Sequence, residues 1–574
     1  MINLKRITLF VLLILMLGTS ACGESISSSI TDVGTEPSLT TSTMQTLGTA
    51  TPTTRPGYYS REQLIEDARQ LATILEDTHP DPYIRGGGKI AFHRRLQQLV
   101  NAIPAEGMTK EEFVRLLRPF IAAVGDAHTV IWDAYRVNDS YPGGVPLRFD
   151  IVEESLYVSG VPDEDDVDLI GALLVSVEGV PLAELRERQE RLQGTENQYQ
   201  ILQLLAVQSL WYGPYMQDLL PEWRDPHEVR VELRLPSGEI EELSFALPVV
   251  MTRLHEPESQ IHLTPSSTSG FPYDFVDDER KTAYLRILQM SHYREAYELW
   301  ALSGSQPTTE QARARIPSAT EIFRELVVEM KEAQTETLII DLRENQGGLS
   351  LMSDILLYYL YDREDFLAVK TYSPVAGGGE IRRISELLLN NCTNLSIEDY
   401  NEGRAVPLIV GDYNFDDDFT DDVDKVEQLF QQSDIPAFLE RWLNRSSTFY
   451  AEFESGAYAG YYRPQSILVL VSPETFSSGF TMARHFYLAG ATLVGTPSGQ
   501  SSNCFGETIR WILGNTHLEG TVSGSYFNTF PNDPELGRYL PMHYPLTYEI
   551  LASYGFDPNA TYLYALAMLS GGGE

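Results

Sequence analysis

A serine can attack an acyl group when a base, oxyanion donors and a rigid mount converge on it. Two strand–turn–helix stretches of this chain offer such a mount. Leu468-Val-Leu-Val-Ser-Pro-Glu-Thr-Phe-Ser-Ser-Gly-Phe puts Ser477 at the first turn of a helix behind a buried strand. That is the mechanics of a nucleophile elbow without its G-x-S-x-G spelling. The helix dipole and the amides of Ser478 and Gly479 favour an alkoxide or a tetrahedral oxyanion there. The same serine would serve equally well as a helix N-cap. In the second stretch, Leu338-Ile-Ile-Asp-Leu runs into Arg343-Glu-Asn-Gln-Gly-Gly and then a helix. Gly347 and Gly348 let the backbone turn with its N–H groups outward, as an acyl-transfer site requires, although a Gly-Gly pair also makes plain turns.

A base is harder to find. No lysine follows Lys425, so a serine–lysine dyad has no partner in this region. His485 lies eight residues along the helix from Ser477, about 12 Å of rise, and reads as a helix-face residue. His128, in Val124-Gly-Asp-Ala-His-Thr, follows an apolar helix and opens a strand; the pattern leaves a structural and a chemical role both open. Cys392 and Cys504 have no C-x-x-C spacing and make no metal site, though they could pair as a disulfide in an exported protein. The acidic run Asp416-Asp-Asp with Asp421, Asp422 and Asp424 lacks the glycine of a calcium loop and reads as a solvated loop.

These residues need elements to position them, and 574 residues call for about two to four domains. The chain opens with Lys5 and Arg6, an apolar run from Ile7 to Leu17, and Gly18-Thr19-Ser20-Ala21 before Cys22. The run is too short to span a bilayer as a helix. The small residue before Cys22 resembles a bacterial lipobox, which implies a signal peptide over 1–22, lipidation at Cys22 and a place on the outer face of a membrane, with plain secretion as the alternative. Thr19 stands where a large aliphatic residue is usual. From Glu24 to Pro56, 16 of 33 residues are Ser or Thr, so 23–57 reads as a flexible tether.

Residues 58–135 read as a helical cap: Leu64, Leu71, Ile74 and Leu75 share a face, as do Phe113, Leu116, Leu117, Phe120 and Ile121. Residues 136–250 turn to short strands, Leu147-Arg-Phe-Asp-Ile and Ser155-Leu-Tyr-Val-Ser, then Ala172-Leu-Leu-Val-Ser-Val-Glu-Gly before a helix start; this looks like part of a PDZ-like module. Gln189 to Leu220 reads as helical, and Val229 to Leu247 as a strand pair. Residues 275–574 alternate strands and helices, which predicts an α/β layer with an insertion over 373–462. A net charge of −39, from 81 Asp and Glu against 42 Lys and Arg, argues against nucleic acid as a partner.

Taken in order, the motifs resemble the tail-specific (C-terminal processing) proteases. Asp341-Leu-Arg-Glu-Asn-Gln-Gly-Gly resembles their D-L-R-x-N-x-G-G signature. Thr475-Phe-Ser-Ser-Gly-Phe and Leu493-Val-Gly-Thr-Pro-Ser-Gly resemble their nucleophile helix and following turn. Glu76-Asp-Thr-His-Pro-Asp-Pro-Tyr and Gly125-Asp-Ala-His-Thr resemble the cap of the tricorn-core and interphotoreceptor retinoid-binding branch. Two positions depart: Gln500 stands where the processing proteases carry their lysine base, and Phe480 where many members have a glutamate.

The resemblance implies an α/β fold of the ClpP/crotonase type and peptide-bond hydrolysis through an acyl-enzyme, on polypeptide substrates and with no metal or organic cofactor. It implies Ser477 as nucleophile, His128 as base and Glu535 as third member. Glu535 lies 58 residues past the serine in Glu535-Leu-Gly-Arg-Tyr-Leu-Pro, which resembles the branch's E-x-x-G-V-x-P. Gly347 or Gly348, together with Ser478, would hold the oxyanion. An inactive relative that binds peptides or lipophiles is the alternative.

Overall fold

The computed structural model describes residues 57–132, 143–247, 254–261, 271–302, 315–362, 365–366, 379–390, 396–401, 406–414 and 447–571. The expected signal peptide with Cys22, nearly all of the tether, Cys392 and the acidic run lie outside these.

Three helices form the cap: α1 (Arg61–Thr78), α2 (Gly88–Ala102) and α3 (Lys110–Ala122). Ser60 and Thr109 close capping boxes on α1 and α3, each accepting from the backbone three residues on. The apolar faces read from the sequence are the buried ones: Leu64, Leu71, Leu75, Phe113 and Leu117 are fully enclosed. Next come β1 (Arg148–Val152), β2 (Ser155–Gly160), β3 (Leu173–Val177), α4 (Leu182–Leu192), α5 (Gln198–Leu204), β4 (Glu228–Arg234) and β5 (Ile240–Ala246). The strands make an antiparallel sheet in the order β1-β2-β3-β4-β5. The helical reading of 189–220 is interrupted: α4 stops at Leu192, and Asn197 caps α5 by accepting from the amides of Tyr199 and Gln200. The gap Gln193–Asn197 is non-helical, and it holds Glu196.

The α/β layer expected of the C-terminal half is present. Its elements are β6 (Tyr273–Phe275), β7 (Thr282–Arg286), α6 (Ala319–Ala333), β8 (Thr337–Asp341), α7 (Leu351–Leu360), β9 (Gly379–Arg383), β10 (Ser466–Val471), α8 (Ser478–Leu488) and β11 (Thr492–Gly495). Strands β7, β8, β10 and β11 lie parallel and adjacent, with Asp341 beside Leu470 and Val471 beside Gly495. Every residue of β8 is buried, as a parallel strand covered on both faces requires. Because β8 and β10 are parallel neighbours, their following turns emerge side by side at one sheet edge, the place where open α/β sheets bind ligands.

Residues 503–528, for which the sequence reading offers no element, form a long hairpin of β12 (Asn503–Ile512) and β13 (Glu519–Asn528). Strand β9 pairs with β13, so this sheet is separate from the parallel one. Ile509, Trp511, Leu518 and Val522 pack into the same core as the cap helices. The cap is therefore welded to the C-terminal half through shared apolar burial. Among the described residues, no helix is long and apolar enough to cross a membrane.

Candidate active site

The two turns at the sheet edge are bolted together through Asn345, which is fully buried. Its side chain donates to the Ile287 carbonyl (2.9 Å) and accepts from the Gly347 amide (2.8 Å), while its own carbonyl accepts from the Phe476 amide (2.9 Å). Thr475 Oγ1 donates to the Leu342 carbonyl (2.8 Å), and Ser478 Oγ to that of Gly348 (2.9 Å). Behind them, Arg343 makes a paired contact with buried Asp341, which also accepts from the Tyr284 hydroxyl. The D-L-R triplet is thus a structural clamp on the strand end.

Ser477 occupies the N-cap position of α8, but its side chain caps nothing. Ser60, Thr109, Asn197, Ser318 and Thr547 all accept from a backbone amide at the equivalent place. Ser477 instead has φ 52° and ψ −125°, a conformation that costs a non-glycine residue about 1–3 kcal/mol. Gly347 sits against it: a Cβ there would lie 2.6 Å from the Ser477 Cβ. The Gly347 amide is already committed to Asn345. The amides of Gly348 and Ser478 have no acceptor among the described residues, and they are the two donors left for an oxyanion.

The structure places His128 beside this serine's turn, its ring stacked on Phe476 with centroids 5.2 Å apart. Its Nδ1 faces Glu196 Oε1 at 3.6 Å and Asp126 Oδ1 at 3.9 Å. These are ion-pair separations, longer than a hydrogen bond. Glu196 is almost wholly enclosed, its side chain 1% exposed, and its other oxygen accepts from the Ser501 amide at 3.0 Å. Burial pushes the His128 imidazole down, but the Glu196 carboxylate, then Asp126 and the Phe505 carbonyl, outweigh it and raise it above its ordinary value.

Asp126 holds the backbone of that histidine. Its Oδ1 accepts from the His128 amide (2.8 Å), and its Oδ2 from Ser523 Oγ (2.6 Å), Thr129 Oγ1 and His79 Nε2 (3.3 Å). Burial opposes the charge, yet those donors keep its carboxyl well below the usual carboxylate range. His79 Nδ1 accepts from the Asp81 amide, so its ring proton sits on Nε2, pointing at Asp126. Asp126, His128 and Glu196 also offer ligand atoms within 4.8 Å of one another, near enough for a cation, but four hydrogen bonds already commit Asp126 to the protein.

Glu535 is not brought to the histidine. It lies exposed on the short helix Pro534–Arg538, where its amide donates to Asp533, and the carboxylate facing His128 is Glu196. Glu196 reaches the histidine through the break after α4, which turns its side chain inward. The signal for that break was Asn197, a strong helix cap inside an otherwise helical stretch. His485 is a core residue whose Nδ1 meets Ser353 Oγ at 2.9 Å. Phe480 is 1% exposed in the main core, where truncation would cost about 3–5 kcal/mol. Cys504 is buried and free, and burial raises its thiol.

Residues 281–504 match the family model of peptidase family S41. No curated protein matches the chain. Among solved structures, that of mature CPAF is similar over 87% of this chain and 96% of its own, at 14% identity and a TM-score of 0.48. The photosystem II D1 C-terminal processing protease is similar over 85% and 93%, at 12% identity and a TM-score of 0.35. The tricorn protease is similar over 89% of this chain and 36% of its own, at 10% identity and a TM-score of 0.32.

Proposed function

We propose that this chain, whose residues 281–504 match the model of peptidase family S41, is a serine endopeptidase run by Ser477, His128 and Glu196. The carrying observation is Ser477: a serine at a helix N-terminus, in a strained conformation, with its hydroxyl spent on no cap. In this reading Ser477 Oγ attacks the substrate carbonyl and passes its proton to His128 Nε2. Glu196, on the Nδ1 side, supports the imidazolium. The amides of Gly348 and Ser478 donate to the oxyanion. His128 then returns the proton to the leaving amine, and water, deprotonated by the same ring, releases the acyl-enzyme.

The polypeptide substrate follows from the family. Export, and anchoring through a lipidated Cys22, rest on the leader-like segment and the Ser/Thr-rich stretch behind it. The test of the chemistry is a fluorophosphonate probe on the mature chain, with unfolded protein as substrate. Wild type should label at Ser477 and cleave; Ser477→Ala and His128→Ala should do neither while remaining folded. An inert Ser477 in folded wild-type protein would defeat the proposal and favour a peptide-binding role.

A further inference from the structure

Gln500 is 5% exposed and sits where lysine-based relatives carry their base, yet none of its contacts is to a side-chain hydroxyl of Ser477. Its Oε1 accepts from the backbone amide of Ser477, and its Nε2 donates to Cys504 Sγ at 3.2 Å. The short segment around it is laced to both halves of the site. On the nucleophile side, the Gly499 amide donates to the Pro473 carbonyl (3.1 Å), and the Gln500 amide to Ser498 Oγ (2.9 Å), which itself donates to the Thr475 carbonyl. On the acid side, the Ser501 amide donates to Glu196 Oε2 (3.0 Å), and Ser501 Oγ to the Glu196 carbonyl (3.1 Å).

We infer that Gln500 is a positioning residue: its amide oxygen holds Ser477 in the strained backbone conformation, while the adjoining Ser501 fixes Glu196, so that one dipeptide sets the distance between nucleophile and acid. The inference rests on the Ser477–His128–Glu196 reading. The physical case is direct. A residue with φ 52° and ψ −125° persists only when its surroundings over-determine it. At the N-cap of α8 the Ser477 amide has no intrahelical acceptor, so a buried side-chain oxygen is what fixes it. A lysine in that place could only donate. It would leave the amide unpaired, which is why a chain that takes its base from the cap can use this position for an acceptor. Misplacing a nucleophile by about 1 Å can cost about a hundredfold in rate.

The experiment compares Gln500→Met (similar length, no oxygen), Gln500→Glu (oxygen retained) and Gln500→Lys. Its readouts are the fluorophosphonate labelling rate, kcat and KM on unfolded protein, the pH profile of kcat/KM, and melting temperature. The Met and Lys variants should lose about 10- to 100-fold in labelling and kcat, with KM and the apparent pKa of the profile unchanged. The Glu variant should recover at least part of that loss. Wild-type labelling in a folded Met variant would overturn the inference, as would equal loss in Met and Glu. So would a Lys variant that cleaves without His128, since position 500 would then act on the hydroxyl proton. If wild type itself never labels, the triad reading fails; if wild type labels and the Met variant matches it, only the role of Gln500 fails.

Discussion

Glu196→Gln is the sharpest test of the site, because it separates the carboxylate found at His128 from the one the family motif points to. The substitution keeps side-chain volume and an oxygen for the Ser501 amide, so the fold should survive. What it removes is a negative charge 3.6 Å from His128 Nδ1. With an effective dielectric constant of about 20, a unit-charge pair at that distance interacts by about 4–5 kcal/mol, an upper bound on the support given to the imidazolium. Part of that is offset because the charge is buried: desolvation raises the Glu196 carboxyl, against the pull of His128 and Arg85. A net about 3–4 kcal/mol in the transition state corresponds to about a 10²- to 10³-fold loss in kcat/KM. The assay is hydrolysis of a quenched fluorogenic protein, run beside Glu535→Gln. Glu535 is exposed, so its variant should stay within about threefold of wild type. The reasoning is refuted if Glu196→Gln keeps wild-type kcat/KM while Glu535→Gln loses a hundredfold.

Further outcomes follow from the same geometry. The general base must be neutral to accept a proton, and the His128 imidazole is raised above its ordinary 6.5. Wild-type kcat/KM should therefore rise with pH through an apparent pKa above 6.5. In Glu196→Gln the burial contribution remains without its main opponent, so the residual activity should titrate at lower pH; an unmoved or higher midpoint would disprove the pairing. The same raised value stabilises the fold fully below about pH 6.5 and loses that contribution as pH climbs through the folded-state pKa, which a pH series of melting temperatures would show. Gly347→Ala should abolish fluorophosphonate labelling, because a Cβ would come within 2.6 Å of the Ser477 Cβ and 2.9 Å of the Phe476 carbonyl oxygen, at φ 105°. Labelling at the wild-type rate would mean that the two turns are not as closely opposed as described.

The contrast between Ser477 and Glu196 shows which parts of such a site a sequence can carry. Ser477, Gly347 and Gly348 were legible because each sits where a buried apolar strand ends, and the periodicity of those strands is a local signal: β8, β10 and α8 fall within a residue or so of where the pattern puts them. His128 could be narrowed but not decided by pattern, since nothing local says that a histidine after a cap helix will stack on Phe476. Glu196 was invisible for a different reason. It is 281 residues from Ser477 in sequence, and it reaches His128 only because α4 and α5 are separate helices and because Ser501 binds it from the other side. A motif interval favoured Glu535, but an interval fixes no direction, and Glu535 lies exposed on a capped turn with no contact to the imidazole among the described residues. The cost of burying Glu196 explains the arrangement around it. A carboxylate that is 1% exposed must be matched by the Ser501 amide, the nearby Arg85 and the imidazole it faces. Such a group is placed by its partners, so it can be read only once the partners are in space.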